Sequence, residues 1–585
     1  MNEKLRLNRF FIFIFLFMFL VILAGIRALD VIDFGAKGDG KTDDTEAFQK
    51  ALDTAGKDGI GGVVQVPQGT FFIANHLNIP SNVTLQGIWQ IPTAWTQYKG
   101  TTLLAIEGEG NPNGTPFITL WDNSVVQGIT IYYPNQVTTN PPKPYPWTIA
   151  SGGADNCSII DVLIVNPYQA VDFGTKLASR HYIRNLYGQP LYRGLFVDKC
   201  FDVGRVENVH FCPFWTYNKP EKKAIEDFIA QNGESFIFGR TDWEYVYNTF
   251  SYGYKIGYHF IKTTDGVANG NFLGIGADAT NNALLVEDCA PYGLLITNGE
   301  FVSFLEPNPI SLLVKSTNTG VIQLQNCSFW GAAHQIASID GIGTIMFNNC
   351  NFVFWGTKGK KLPALECSGG SLIVSSCNFN RPGNHIKLNP EVETAVITGN
   401  RFVGVPHITN DSKGDVKIGL NTSTKLPEKE PNAIVIDDSQ SEPAFRLEGN
   451  WYEGFGGKDY NGLTYWAYKG NGESKAYWQP DIPKKGTYAV YIWYGVDPMN
   501  NHATNSPYTV KHKAGKKTIH INLKENIGQW NLIGEFEFDK GISGYVMTSN
   551  EANNNVVADA IKFVPVKKKI KKEIKNRFKK VLGIF

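Results

Sequence analysis

Cysteine is scarce. Eight Cys in 585 residues are too few for a disulfide scaffold, and there is no CxxC pair to suggest zinc. Net charge is nearly absent: 55 Lys and Arg stand against 54 Asp and Glu, a formal +1. That balance supplies no global field for a polyanion. Long helical patterns are few. A glycine-rich phosphate loop, HExxH, a serine elbow and a basic-aromatic nucleic-acid motif are all missing, which argues against an oxidoreductase, a nuclease and a nucleic-acid partner. Apolar residues make up 43% and charged residues 19%, so the chain is not a disordered one. Glycine and aromatics are plentiful: 59 Gly, 37 Phe, 25 Tyr and 13 Trp. They point to β structure with many tight turns.

The two ends differ from the body. Lys4, Arg6 and Arg9 precede an uncharged apolar run from Phe10 to Ile26. Positive flank first and apolar run second is the order of a secretory signal, with small residues at Ala24, Gly25 and Ala28 near a cleavage point. The run is also close to the minimum for a membrane span. Residues 1–28 are therefore read as a signal peptide or an anchor, and the body as secreted or cell-surface. At the other end, residues 566–585 hold Lys567, Lys568, Lys569, Lys571, Lys572, Lys575, Arg577, Lys579 and Lys580, with Ile570, Ile574, Phe578 and Leu582 every four residues. This is a basic amphipathic helix that can lie on an anionic membrane or envelope surface, or else a solvated tail.

An internal period organises the middle. Gln325-Asn326-Cys327-Ser328-Phe329, Asn349-Cys350-Asn351-Phe352, Ser376-Cys377-Asn378-Phe379 and Gly399-Asn400-Arg401-Phe402 align, with Asn400 at the cysteine position and spacings of 23, 27 and 23 residues. A short apolar strand precedes each. A repeat of this length with Asn/Gly turns predicts an all-β fold, a parallel β-helix whose like residues stack in ladders. The cysteines then form a buried column of small apolar side chains. Asn326, Asn349 and Asn400 are expected in turns. The least regular stretch, roughly 210–270, holds a helix signal from Lys219-Pro220-Glu221 to Ala230. Long insertions in solenoids usually sit on the binding face.

The segment Val31-Ile32-Asp33-Phe34-Gly35-Ala36-Lys37-Gly38-Asp39-Gly40-Lys41-Thr42-Asp43-Asp44-Thr45, followed by Gly61-Gly62-Val63-Val64-Gln65-Val66-Pro67 and Asn82-Val83-Thr84-Leu85-Gln86-Gly87, closely resembles the opening module of the pectate lyase-like right-handed β-helix superfamily. The resemblance implies a strand, a Gly-rich turn, a capping helix and the first coils, with a polysaccharide as substrate class. Asp44 or Thr42 is expected to cap the helix through Ala51. Ala433-Ile434-Val435-Ile436-Asp437-Asp438, Gly449-Asn450-Trp451, Ala476-Tyr477-Trp478-Gln479-Pro480, Gly486 to Tyr494 and Val557-Ala558-Asp559-Ala560-Ile561 look like the golvesin/xanthan lyase C-terminal domain. That likeness implies a β-sandwich, carbohydrate-binding-like in its family. The organisation expected is a right-handed β-helix over 29–430, a linker near 426–432 and an antiparallel sandwich over 433–565.

The resemblance supplies no catalytic residue. The polygalacturonase motifs Asn-Thr-Asp, Asp-Asp, Gly-His-Gly and Arg-Ile-Lys are missing from the central coils, as is a clear calcium-dependent pectate lyase set, and the acids Asp33, Asp39, Asp43 and Asp44 sit in the cap. A glycosidase needs two carboxyls, ~5–5.5 Å apart for retention or ~6.5–9.5 Å for inversion. A lyase needs a base and a group that neutralises the uronate. Both sets are richest at 234–306. There Asp242, Glu244, Asp278 and Glu300 are the candidate catalytic acids, Asp242 and Glu244 sharing a face if extended. Trp243, Tyr245, Lys255 and His259 are the candidate substrate-binding residues. No metal ligand is assigned. A hydrolase requires no cofactor, whereas a lyase could use Ca²⁺. The function expected is polysaccharide cleavage by hydrolysis or β-elimination in a groove on the helix. The alternative is a non-catalytic cell-surface protein, a glycan-binding or structural β-helix.

Overall fold

The computed structural model describes residues 29–89, 99–357, 361–424, 430–454, 457–462, 464–497 and 501–566. The N-terminal apolar run, most of the expected linker and the basic C-terminal helix lie outside these residues. No helix among the described residues is long and apolar enough to cross a membrane.

Residues 29–424 form a parallel β-solenoid of about fifteen turns, its strands joined in one 38-stranded sheet. Each turn visits three faces. On the first face Arg205, Tyr245, Asn271 and Leu295 lie in register. On the second, Tyr187, His210, Phe250, Gly276, Glu300 and Ser328 do. On the third the column runs Phe196, Ile237, His259, Leu285.

Ladders follow from the repeat. Phe301, Phe329, Phe352, Phe379 and Phe402 stack inside with ring centroids 5.3, 5.6, 4.8 and 4.6 Å apart. Each such buried ring contributes about 1.5–3 kcal/mol. Cys327, Cys350 and Cys377 form an unoxidised buried column. Asn400 continues it, its Oδ1 accepting the Cys377 amide at 2.8 Å. The corner between the first and second faces needs a left-handed residue. Asn185, Asn208, Asn248, Asn298, Asn326 and Asn349 supply it at φ of 52–57°, where a short polar side chain is tolerated best. Their amides bond up the stack: Asn208 Nδ2 donates to Asn185 Oδ1 at 2.7 Å and Asn326 Nδ2 to Asn298 Oδ1 at 3.3 Å. Asn400 is not at that corner, contrary to the sequence reading. Gly399, at φ 69°, makes the turn instead.

The first turn is covered by a helix, Thr45–Gly56, which buries Phe48, Ala51 and Leu52 over the open apolar end. The expected side-chain cap is not made. Asp44 occupies the N-cap position, but its carboxylate accepts the amides of Lys37 at 2.6 Å and Gly38 at 3.1 Å, pinning the Gly-rich turn. Thr42 Oγ1 donates to Asp39. The second helix, Lys222–Asn232, begins two residues after Pro220.

The C-terminal region is antiparallel. Ile434–Asp437, Ala560–Pro565, Gly486–Trp493 and Asn531–Phe538 make a four-stranded sheet. A five-stranded sheet runs Phe445–Glu448, Lys475–Trp478, Tyr545–Ser549, Ser506–His512, Gly515–Ile521. Ile436, Val490 and Phe563 of the one share a core with Trp478, Tyr508 and Val546 of the other, which makes a sandwich.

Candidate functional site

The second face carries the candidate site. Strand Arg205–Phe211 leads into the irregular segment and helix Lys222–Asn232, after which Phe250–Tyr252, Gly276–Thr280 and Glu300–Ser303 resume the face. Aromatic rings line it: Tyr187 and His210 are 6.3 Å apart, His210 and Phe214 5.3 Å, His210 and Phe250 5.2 Å. Gly276 has no side chain, and a Cβ there would come within 2.7 Å of the Phe250 ring. Glycine therefore lets that ring lie down on the next rung.

Asp278 stands opposite Tyr252, two residues along from Gly276, whose partner on the next rung is Glu300. Asp278 is half-buried. Burial first, then the charge of Glu300, pushes its carboxyl up from 3.8 to about 6, against the amide of Ala279, which donates to Oδ1 at 2.5 Å. Ala279 has φ 53° and lies in a register shift between Ala277 and Thr280. Such a bulge re-aims the side chain beside it. Glu300 is exposed and accepts the Trp330 Nε1 proton at 3.1 Å.

The irregular segment reaches the same place. Burial, then Asp278, pushes the Cys212 thiol up to about 12. Tyr252, 43% exposed, is raised by burial, then by Asp278, Cys212 and Glu226. Burial pushes His210 below the ordinary imidazole value, and its Nε2 is buried without a hydrogen-bond partner. The ring is neutral near pH 7. The arrangement thus offers a carboxyl that exchanges its proton near neutrality, an exposed carboxylate one rung away, a neutral imidazole and flat aromatic faces.

The other sequence candidates are dispersed. Asp242 is exposed and Glu244 fully buried, so the two do not share a face. Trp243, between them at φ 63°, turns the backbone left-handed and sends one out and the other in. Glu244 Oε1 lies 2.9 Å from His181 Nε2 inside the solenoid. Burial opposes the His181 charge, but Glu244 and Cys200 hold its value well above the ordinary one. Glu244 is closed to solvent and belongs to a core ion pair. Tyr245 is on the first face, beside Tyr247 and Leu273 in a shallow apolar depression. His259 is on the third face, 3.2 Å from Glu234 and 3.3 Å from Glu287. Burial pushes Glu234 up, and His259, with help from Arg193 and Lys255, more than reverses it. Only Asp278 and Glu300 of the eight meet on the second face. Tyr187, His210, Phe214 and Trp330 were missed. The signal for His210 is its outward alternation on the last strand before the irregular segment.

Residues 28–187 match the family model for rhamnogalacturonase A/epimerase, pectate lyase-like, and residues 434–565 match the Golvesin C-terminal domain. A xanthan lyase of Bacillus sp. (strain GL1) is 28% identical over 158 residues, 26% of this chain and 17% of that protein. Alginate lyase 7 of Azotobacter vinelandii is 49% identical over 65 residues, 10% of this chain and 8% of that protein. Among solved structures, the A-module of the Azotobacter vinelandii mannuronan C-5 epimerase AlgE6 is 15% identical and matches 68% of this chain and 100% of its own, with a TM-score of 0.42. The chain spans less than a fifth of the length of these two curated relatives.

Proposed function

We propose that this is an extracytoplasmic carbohydrate-active enzyme that hydrolyses a polysaccharide bound along the second face. The observation that carries the reading is Asp278, whose half-buried carboxyl is held near 6 one rung from the exposed carboxylate of Glu300. A carboxyl of that strength donates a proton to a glycosidic oxygen at neutral pH, and Glu300 can deprotonate a water. The rings of Tyr187, Phe214, Phe250 and Tyr252 offer stacking faces for sugars. The likeness to a xanthan lyase and to a rhamnogalacturonase/epimerase model supports a polysaccharide as substrate. Hydrolysis is favoured because Asp278 and Glu300 bring two carboxyls to neighbouring rungs of one face, the pair a glycosidase needs. The charged-then-apolar N-terminus supports export, and the basic tail supports contact with an anionic envelope surface.

The purified chain is to be incubated with a panel of neutral and acidic polysaccharides. Reducing ends should appear without the unsaturated product that absorbs near 235 nm. Asp278→Asn and Glu300→Gln should each lower turnover at least ~100-fold. Full activity in both variants, or an unsaturated product, overturns the assignment. Glycan retained without cleavage makes the aromatic face a binding surface.

A further inference from the structure

A second set of carboxylates lies in the sandwich, away from the solenoid groove. Asp437 ends strand Ile434–Asp437 and Asp438 follows it, while Asp559 sits between strands Val556–Ala558 and Ala560–Pro565. One oxygen from each of the three lies within 4.8 Å of the others, and all three residues are buried. Like charges this close inside a protein need a counter-charge or protons.

Some of these oxygens are held by protein donors and others are not. Asp437 Oδ2 accepts Ser439 Oγ and, at 3.2 Å, Asn461 Nδ2. Asp559 accepts the Tyr460 amide at 3.0 Å. The Gly457 amide donates to Asp459 Oδ2 at 3.3 Å. By contrast Asp437 Oδ1, Asp459 Oδ1 and both oxygens of Asp438 are buried without a hydrogen-bond partner. Asp438 is the decisive residue. It is 3% exposed, one of its oxygens lies within 4.8 Å of those of Asp437 and Asp559, and neither of its oxygens has a donor. A buried carboxylate with two orphan oxygens is costly. Burial, then Asp437, Asp559 and Asp459, raise Asp438 well above its ordinary value. Arg381, on the solenoid, acts the other way but more weakly than each of those carboxylates.

We infer that Asp437, Asp438 and Asp559, with Asp459 beside them, form a Ca²⁺ site in the C-terminal sandwich. The donors are all carboxylate oxygens, which selects a hard cation over zinc or copper. Several protein oxygens and a carboxylate free at both ends suit Ca²⁺, which takes six to eight oxygens in flexible geometry. Mg²⁺ prefers an octahedron that keeps several waters. Ser439, Asn461 and the Tyr460 and Gly457 amides act as the outer shell that orients the ligands. Trp478 Nε1 donates to the Asp559 carbonyl at 3.0 Å, tying the site to the core.

The full chain is stripped with EDTA and then titrated with CaCl2. Calorimetry should show one Ca²⁺ per chain, with Kd of ~10⁻³ M or tighter. With 5 mM CaCl2 the tryptophan-fluorescence melt of the sandwich should rise by about 5 °C over the EDTA sample. Asp438→Asn should abolish that rise and melt in EDTA no lower than wild type, because it removes a buried carboxyl crowded by its neighbours. The inference is overturned if wild type gives no binding heat and identical melts in Ca²⁺ and EDTA, or if Asp438→Asn keeps the rise. Should the variant fail to accumulate, the wild-type titration and melts decide alone.

Discussion

Replacing Asp278 with Asn separates the site's chemistry from the fold's stability and predicts opposite effects on each. The carboxyl is raised from 3.8 to about 6, by burial first and by Glu300 second. In the unfolded chain it returns to about 3.9. Between these values the folded form binds more protons than the unfolded one, so stability is fully present below pH ~4 and is lost as pH rises through 6. At 1.36 kcal/mol per pH unit the loss is about 3 kcal/mol. Asn cannot ionise, and its Oδ1 can still accept the Ala279 amide. The variant should match wild type at pH 4 and be about 3 kcal/mol more stable at pH 8. For a solenoid of some 400 residues, with an unfolding entropy near 2.1 cal/mol/K per residue, that is about 3–4 °C. Scanning calorimetry of both proteins from pH 4 to 8 reads it directly. Parallel curves across that range, or a variant less stable at pH 8, would refute the account of Asp278 as a carboxyl strained by its surroundings.

Two further outcomes follow from buried groups. Glu244→Gln strips His181 of its counter-charge inside the solenoid and should cost about 3–5 kcal/mol. The raised His181 value places that loss most fully below pH 6.5, fading as pH climbs through the folded value; denaturant melts at pH 6 and 9 compare the two. Residues 433–565 should fold alone, given a core of Trp478, Tyr508, Phe538 and Phe563, and a non-cooperative melt of that segment counts against the boundary.

The solenoid was legible because its repeat is written in like residues. The Cys-x-Phe units at 327, 350 and 377 name the interior column, and Asn326 and Asn349 name the corner. The site was less so, for a geometric reason. One turn takes some 25 residues and visits all three faces, so a window such as 242–259 wraps around the stack rather than along it. Glu244, Tyr245 and His259 thereby end up inside, on the first face and on the third. Asp278 and Glu300 meet because they are nearly one turn apart. Trp243 shows a second limit, since a left-handed tryptophan has no signature in the sequence and reverses the sides of its neighbours.

The parallel ladder also has a mechanical meaning. Its hydrogen bonds point along the stack, and the chain enters the solenoid at the first turn and leaves it at the opposite end, after strand Thr422–Thr424. Tension between those ends passes through every turn in series, and a terminal turn, bonded on one side alone, is the first to peel away. The stack then opens as a zipper, one turn at a time, instead of shearing whole. A turn of about 25 residues releases roughly 80 Å of chain at 3.3 Å per residue. A protein anchored at one end and holding a polymer at the other would lengthen in such steps under flow and close again turn by turn when the load falls.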